Sequence, residues 1–289
     1  MTRIASRYGP DGRMQSVIQM YQGTAAWPHV VAERALLLAR WQSPERAVEA
    51  IRSAPGIALE RPRNAPVLEV LVQSLAELER FDEAESALAS ALEKTPDESE
   101  LHRIQAGLRA ARGQEAEALA SYERALELDP RNARAWLESG RLVAASGDAE
   151  GGLERWRRAL ELDPMLTEAY VGAARLLAEQ GRIEEAEERW AALLREAPYD
   201  AGAAVALARS RLARGEFDDR TLELARRSIR FGAGEVGQRL LAQVHAARGE
   251  KQRAAEIRKR LEEKPAAPEA PVDPEAPTAA EAPADVSNG

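Results

Sequence analysis

Residues 133–166, ARAWLESGRLVAASGDAEGGLERWRRALELDPML, form one copy of a unit that recurs every 34 residues, and that recurrence decides the fold. Gly147 belongs to a column with Gly113, Gly181, Gly215 and Gly249. Pro164 belongs to another with Pro96, Pro130 and Pro198. Trp156 aligns with Tyr122 and Trp190, Trp136 with Tyr170, and Ala159 with Ala91 and Ala125. Each residue type has a physical reason for its place. A glycine follows the first helix because the residue after a helix often turns left-handed, where a side chain clashes. A proline follows the second helix because it cannot continue one. The aromatics act as wedges between neighbouring helices. The alanines, with Ala106, Gly140, Ala174 and Ala208, mark close approach of backbones.

Trp136, Gly140, Gly147, Trp156, Ala159 and Pro164 stand at the aromatic, small, turn, aromatic, small and proline positions of the tetratricopeptide repeat. The endings SYERALELDP (121–130) and WRRALELDP (156–164) match that family's second-helix ending nearly letter for letter. The chain therefore resembles a tetratricopeptide repeat protein from Ala65 to Lys264, about six units. The resemblance implies an all-α fold, a right-handed α-solenoid of paired antiparallel helices whose concave groove binds peptides or protein surfaces.

The unit starting at Ala201 departs from the pattern. Asp218 and Asp219 stand where one acidic residue suffices, and the second helix fits when shifted by one, with Thr221 and Ser228 as its small residues. It ends in FGAG in place of a proline stop, after which the glycine column returns to register. This reads as a one-residue insertion, compensated at once. His102 and His245 occupy aromatic slots and read as half-buried fillers, not as metal ligands or bases.

Outside the clear copies, residues 1–30 hold one short amphipathic stretch, Met14 to Tyr21, read as a cap for the open end of the array. Residues 31–64 read as a diverged helical repeat, with Ala32–Trp41 and Glu45–Ala54 as its two helices and a long following loop. Residues 65–264 hold the six tetratricopeptide-like units. From 265 to 289 composition changes abruptly: six prolines, no lysine or arginine, and five carboxylates, Glu269, Asp273, Glu275, Glu281 and Asp285. Such a segment buries no core and reads as a disordered acidic tail. Pro265, Pro268, Pro271, Pro274 and Pro277 recur every third residue, the period of a polyproline II helix. The tail carries −5 of the formal net charge of −8.

The 289 residues contain no cysteine, which excludes disulfides and thiolate chemistry. No stretch has signal-peptide or membrane-span character, so a soluble, cytoplasmic protein is expected. There is no glycine-rich phosphate loop, no His-x-x-x-His pair and no histidine beside a nucleophile, so neither enzymatic activity nor a cofactor is expected.

The resemblance implies that one face of each first helix lines the groove. Arg141, Arg175 and Arg209 share a column there, and Arg103, Arg134 and Arg239 project from other positions of the same face. Rows of guanidinium about 10 Å apart make a ladder for carboxylates, which the planar fork grips bidentately. Small neighbours, Ala110, Ala144, Ala178 and Gly172, leave room for a chain. The expected role is an adaptor that holds an acidic or extended partner segment, with the acidic tail as a built-in competitor. The bland alternative pairs these arginines with Glu138, Glu168 and Glu179 in solvent, where each pair contributes at most about 1 kcal/mol. A nucleic-acid-binding solenoid is the other class, disfavoured by the net acidic charge.

Overall fold

Each 34-residue copy folds into a helical hairpin because its glycine lets the chain reverse. A computed structural model of the protein describes residues 21–263. Gly113, Gly147, Gly181, Gly215 and Gly249 all have φ between 76° and 98°. The Gly113 N–H donates to the Ala110 carbonyl and the Gln114 N–H to the Arg109 carbonyl (3.0 and 2.9 Å), which satisfies the last carbonyls of the preceding helix. Glu79 occupies the same column one copy earlier, and it too is left-handed, at φ 56°. The tight turn is thus kept where the glycine is missing, at the cost of backbone strain.

Among the described residues there are fourteen α-helices and no strand. They are α1 (Trp27–Trp41), α2 (Pro44–Arg52), α3 (Ala65–Glu77), α4 (Phe81–Lys94), α5 (Ser99–Ala111), α6 (Glu115–Leu128), α7 (Ala133–Ala145), α8 (Ala149–Leu162), α9 (Thr167–Glu179), α10 (Ile183–Glu196), α11 (Ala201–Ala213), α12 (Asp219–Arg230), α13 (Gly234–Ala247) and α14 (Lys251–Glu262). Odd-numbered helices are the first of each hairpin. Two units contain them, one within Met1–Pro198 (α1–α10) and one within Tyr199–Gly289 (α11–α14). The fold is the all-α helical-repeat solenoid that the columns lead one to expect.

In the first unit every odd helix from α3 onward packs on both helices of the preceding hairpin. Successive even helices share at most marginal contact. Odd helices therefore lie closer together than even ones. In the second unit α13 likewise packs on both α11 and α12.

The seam follows the columns. Tyr122, Trp156 and Trp190 are buried, and Ala91, Ala125 and Ala159 have no exposed surface at all. Trp156 of α8 shows what the small column is for. A Cβ on Gly140 of α7 would lie 2.9 Å from its indole, and a Cβ on Gly172 of α9 also 2.9 Å. The ring occupies the space that both glycines leave, and its Nε1 donates to the Leu137 carbonyl at 3.1 Å. Gly172 was expected to leave room for a ligand; instead that room is filled from behind by Trp156.

The irregular unit behaves as expected. In α12, Thr221 and Ser228 are fully buried, one place later than Ala118 and Ala125 in the hairpin of α6. Asp218 caps α12, its Oδ1 accepting the Thr221 N–H at 2.9 Å. That bond, aided by the Thr221 hydroxyl and the Arg211 charge, outweighs the opposing effect of burial and holds the Asp218 carboxyl below its ordinary pKa. A depressed carboxylate pKa contributes stability above its unfolded value and loses it as pH falls through the folded one. Asp218→Ala should cost about 1 kcal/mol near neutral pH. The deficit should shrink on acidification, as urea titrations at two pH values would show.

The first hairpin starts five residues earlier than the sequence pattern indicates, at Trp27, whose Nε1 donates to the Pro55 carbonyl at 2.9 Å. It leaves Leu36, Leu37 and Trp41 exposed. The cap expected at Met14–Tyr21 and the tail from Pro265 onward lie outside the described residues, apart from Tyr21.

Candidate protein-interaction face

The odd-helix face of the first unit is built from three residue columns, and its character changes along the stack. One column reads Glu69, Arg103, Leu137, Val171 on α3, α5, α7 and α9. Glu69 and Arg103 meet: the Arg103 Nη2 lies 2.8 Å from Glu69 Oε1 and 2.7 Å from Glu100 Oε1, and its Nη1 lies 2.6 Å from Glu138 Oε1. The guanidinium thus ties α3, α5 and α7 together, and only 2% of its side chain is exposed. Tyr122 of α6 donates its hydroxyl to Glu138 Oε2 at 3.2 Å. Asn132 donates to Ser99 Oγ (3.0 Å) and Glu100 Oε2 (3.3 Å), while its own Oδ1 accepts the Ala135 N–H and caps α7.

The carboxylates respond differently to this shared site. For Glu100, burial raises the pKa, but Arg103's hydrogen bond and charge outweigh it and the net shift is down. For Glu138, burial dominates over the Arg103 charge, the Glu69 charge adds to it, and the pKa lies above the carboxylate range. Burial and the Glu138 charge also push the Tyr122 hydroxyl up. Glu100 therefore contributes stability that is lost on acidification, whereas ionising Glu138 opposes folding and acidification relieves it.

Arg103 was expected to project into the groove as a docking cation. The structure corrects this: its donors are taken by three carboxylates in a site that water scarcely reaches. Arg134 of α7 stays largely exposed, 3.6 Å from Glu69 Oε2. Here the face is internally paired.

Further along, it is not. Arg141 of α7 and Arg175 of α9 are exposed, and neither has an ion-pair partner among the described residues. They flank the half-buried Leu137 and Val171, with Ala144 and Ala178 one turn beyond. Ala144 also backs onto Gly152, where a Cβ would come within 2.6 Å of its own. In the second unit Arg209 of α11 occupies the equivalent position, exposed and likewise without an ion pair among the described residues, while Arg239 of α13 is held by Glu235 at 2.7 Å.

The even-helix side contrasts with this. A furrow of about 370 Å³ between α8 and α10 is floored by Leu153, Leu160, Ala173 and Leu177. Arg157 and Arg182 on its rims are each held by two glutamates, Glu154 with Glu161 and Glu150 with Glu185. Neither of these two guanidiniums is left for a partner, although Arg189, which also lines the furrow, has no ion pair among the described residues.

The two histidines have structural work. His102 Nε2 donates to the Pro96 carbonyl at 2.7 Å, and Trp136 Nε1 makes the same bond to Pro130, 3.0 Å, one copy later. His245 is buried with its Nδ1 2.9 Å from Glu250 Oε2. No group of histidine, aspartate and glutamate among the described residues is arranged to hold a metal ion. No described helix is long and apolar enough to cross a membrane.

The alternative of pairing with Glu138 holds for Arg103, but sequence reasoning missed Glu69, Glu100 and the burial of the network, although a signal was present. Carboxylates 34 residues before and 35 after an arginine belong to neighbouring hairpins, and these meet it across the stack.

Comparison with known proteins gives the same fold. The tetratricopeptide repeat model matches residues 70–133, 109–166 and 137–201. No curated protein matches. Among solved structures, pilF of Pseudomonas aeruginosa is similar with a TM-score of 0.57 and 18% identity, covering 68% of this chain and 90% of its own. PilW, described as a widely conserved type IV pilus biogenesis factor, gives 0.52 and 19% over 68% of this chain and 92% of its own. A thermophilic tetratricopeptide repeat protein of Thermus thermophilus gives 0.52 and 21% over 64% and 99%. Identities this low speak for the fold alone. The residue columns, the helical hairpins they produce and the match over residues 70–201 show an array of tetratricopeptide repeats, a fold that serves generally as a scaffold for protein–protein interaction.

Proposed function

We propose that the protein is a non-catalytic adaptor that holds an extended, acidic segment of another protein on the odd-helix face of the first unit. One observation carries the reading: Arg141 and Arg175 of the first unit recur at one repeat position and are exposed without an ion pair among the described residues, as is Arg209 at the equivalent position of the second unit. Unpaired exposed guanidiniums keep their fork geometry for an incoming carboxylate. Leu137 and Val171, with the small Ala144 and Ala178, give the segment's non-acidic residues a shallow apolar bed. Arg134 and Arg239 serve as outlying cations whose glutamate contacts an acidic ligand can displace. A cytoplasmic setting fits this role.

The test is fluorescence anisotropy with labelled hexaglutamate, comparing wild type with the Arg141→Ala, Arg175→Ala, Arg209→Ala triple variant. Each exposed guanidinium–carboxylate pair contributes up to about 1 kcal/mol. Removing two or more such pairs should weaken binding by about tenfold or more. Equal affinities would remove the proposal. Tighter binding to random RNA than to hexaglutamate, falling steeply with salt, would instead favour a nucleic-acid role.

A further inference from the structure

We infer that α1 is a self-association site: two copies of the chain pair through its outer face, antiparallel about a twofold axis between Leu36 and Leu37. The inference is independent of the adaptor reading and concerns a different helix of the first unit.

Among the described residues no hairpin precedes α1. One side of the helix, with Trp27, Val31, Ala32 and Ala35, is buried in the core it shares with α2 and α3. The opposite side is open. At 3.6 residues per turn, Glu33 and Arg40 fall on the midline of that side, with Leu36 and Leu37 about 50° to its left and right. All four are exposed, and Trp41 at the edge is 70% exposed. Positions i, i+3, i+4 and i+7 make the stripe that a helix turns toward a packing neighbour. Met165, Tyr199, Phe217 and Val236 are also exposed, but each stands alone in sequence. Single apolar side chains on a surface are ordinary, whereas three within six residues of one helix mark a contact.

Charge complementarity names the occupant. Glu33 and Arg40 have no ion pair among the described residues. Seven residues set them about 10 Å apart along the helix, beyond the three- and four-residue spacing of ordinary helical pairs. In an antiparallel pair centred between Leu36 and Leu37, Glu33 of each copy comes level with Arg40 of the other, on the same side of the seam. Both cross-pairs form together, and Leu36 of each copy meets Leu37 of the other. A parallel pair would instead set Glu33 against Glu33 and Arg40 against Arg40, so charge selects the antiparallel one. The face is thus complementary to itself under a twofold, as an isologous dimer requires. Trp41 widens it: the Arg40 guanidinium lies 5.8 Å from the centre of its ring, so the indole flanks the cation at the rim. A contact of one helix on one helix is at the small end of specific interfaces, and the dimer is accordingly weak.

Sedimentation equilibrium of the full chain at low salt tests this, at concentrations up to about 200 µM, where small interfaces associate. Wild type should approach twice the chain mass at the top of that range. Glu33→Arg alone, or Arg40→Glu alone, sets like charges together at both cross-pairs and should weaken association by about tenfold or more. The two changes in one chain should restore it. An equimolar mixture of the two single variants should also associate, because every cross-pair is then opposite in sign. Recovery in the mixture shows that the single variants are folded and lack only the charge match. A wild type that stays monomeric throughout would overturn the inference and point to another cover for α1, residues 1–20 included. A dimer that both single variants keep at full strength, or that neither the double variant nor the mixture recovers, would overturn it as well.

Discussion

Arg103→Met should destabilise the first unit by about 3–5 kcal/mol, the usual cost of removing one partner from a buried ion network. Without the guanidinium, Glu69, Glu100 and Glu138 face one another, with Arg134 3.6 Å from Glu69 as the remaining ion-pair cation. Two companion measurements separate this cause from simple loss of packing. Combining Arg103→Met with Glu69→Gln and Glu138→Gln should recover most of the loss. Of the three carboxylates only Glu100 then keeps its charge, and the nearby Arg134 charge favours it. The single variant should also recover partly on acidification, because protonating the carboxylates removes their repulsion. In wild type the same acidification loses the Glu100 contribution, whose pKa is depressed in the fold. Urea unfolding at two pH values reads both effects. A loss below about 1 kcal/mol would mean that the network is no more than a surface contact.

Trp156→Ala should cost a similar amount, about 3–5 kcal/mol, as expected for emptying a buried aromatic site. The indole lies between α7 and α9, against two glycines that exist at those positions because the ring does. The damage should be local. Hydrogen exchange should rise first in α7, α8 and α9, since each hairpin of a solenoid depends on its immediate neighbours. Gly140→Ala and Gly172→Ala probe the same packing from the other side, each forcing a methyl to within 2.9 Å of the ring and costing about 1–3 kcal/mol. If Trp156→Ala loses stability evenly across all hairpins, the wedge assignment is wrong.

The fold was legible in the sequence because turn glycines, stop prolines and aromatic wedges each do one job that few residues can do. Even the irregular hairpin could be read, since Thr221 and Ser228 moved together by one place and both are buried. Glu79 was not legible, because a glutamate gives no sign that it will take a left-handed turn. The groove was legible only in part. Helical phase puts Arg103, Arg134 and Arg141 on one face, but phase does not say which carboxylates lie across the stack. Arg103 has Glu69 and Glu138 on the helices either side, whereas the matching places hold no carboxylate for Arg141 (Gly107 and Leu176) or for Arg175 (Arg141 and Ser210). Gly172 was misread for a related reason. A glycine marks a close approach without saying from which side, and here Trp156 approaches from behind.

The central claim is that an acidic segment lies along the odd-helix face, and photocrosslinking tests it most directly. A hexaglutamate peptide carrying a benzophenone group, bound to the full chain and irradiated, should label residues around Leu137, Ala144, Val171 and Ala178 on α7 and α9. Excess unlabelled hexaglutamate should suppress those adducts. Adducts concentrated instead along the furrow of α8 and α10, near Leu153 and Leu160, would place the ligand on the opposite side and contradict the account.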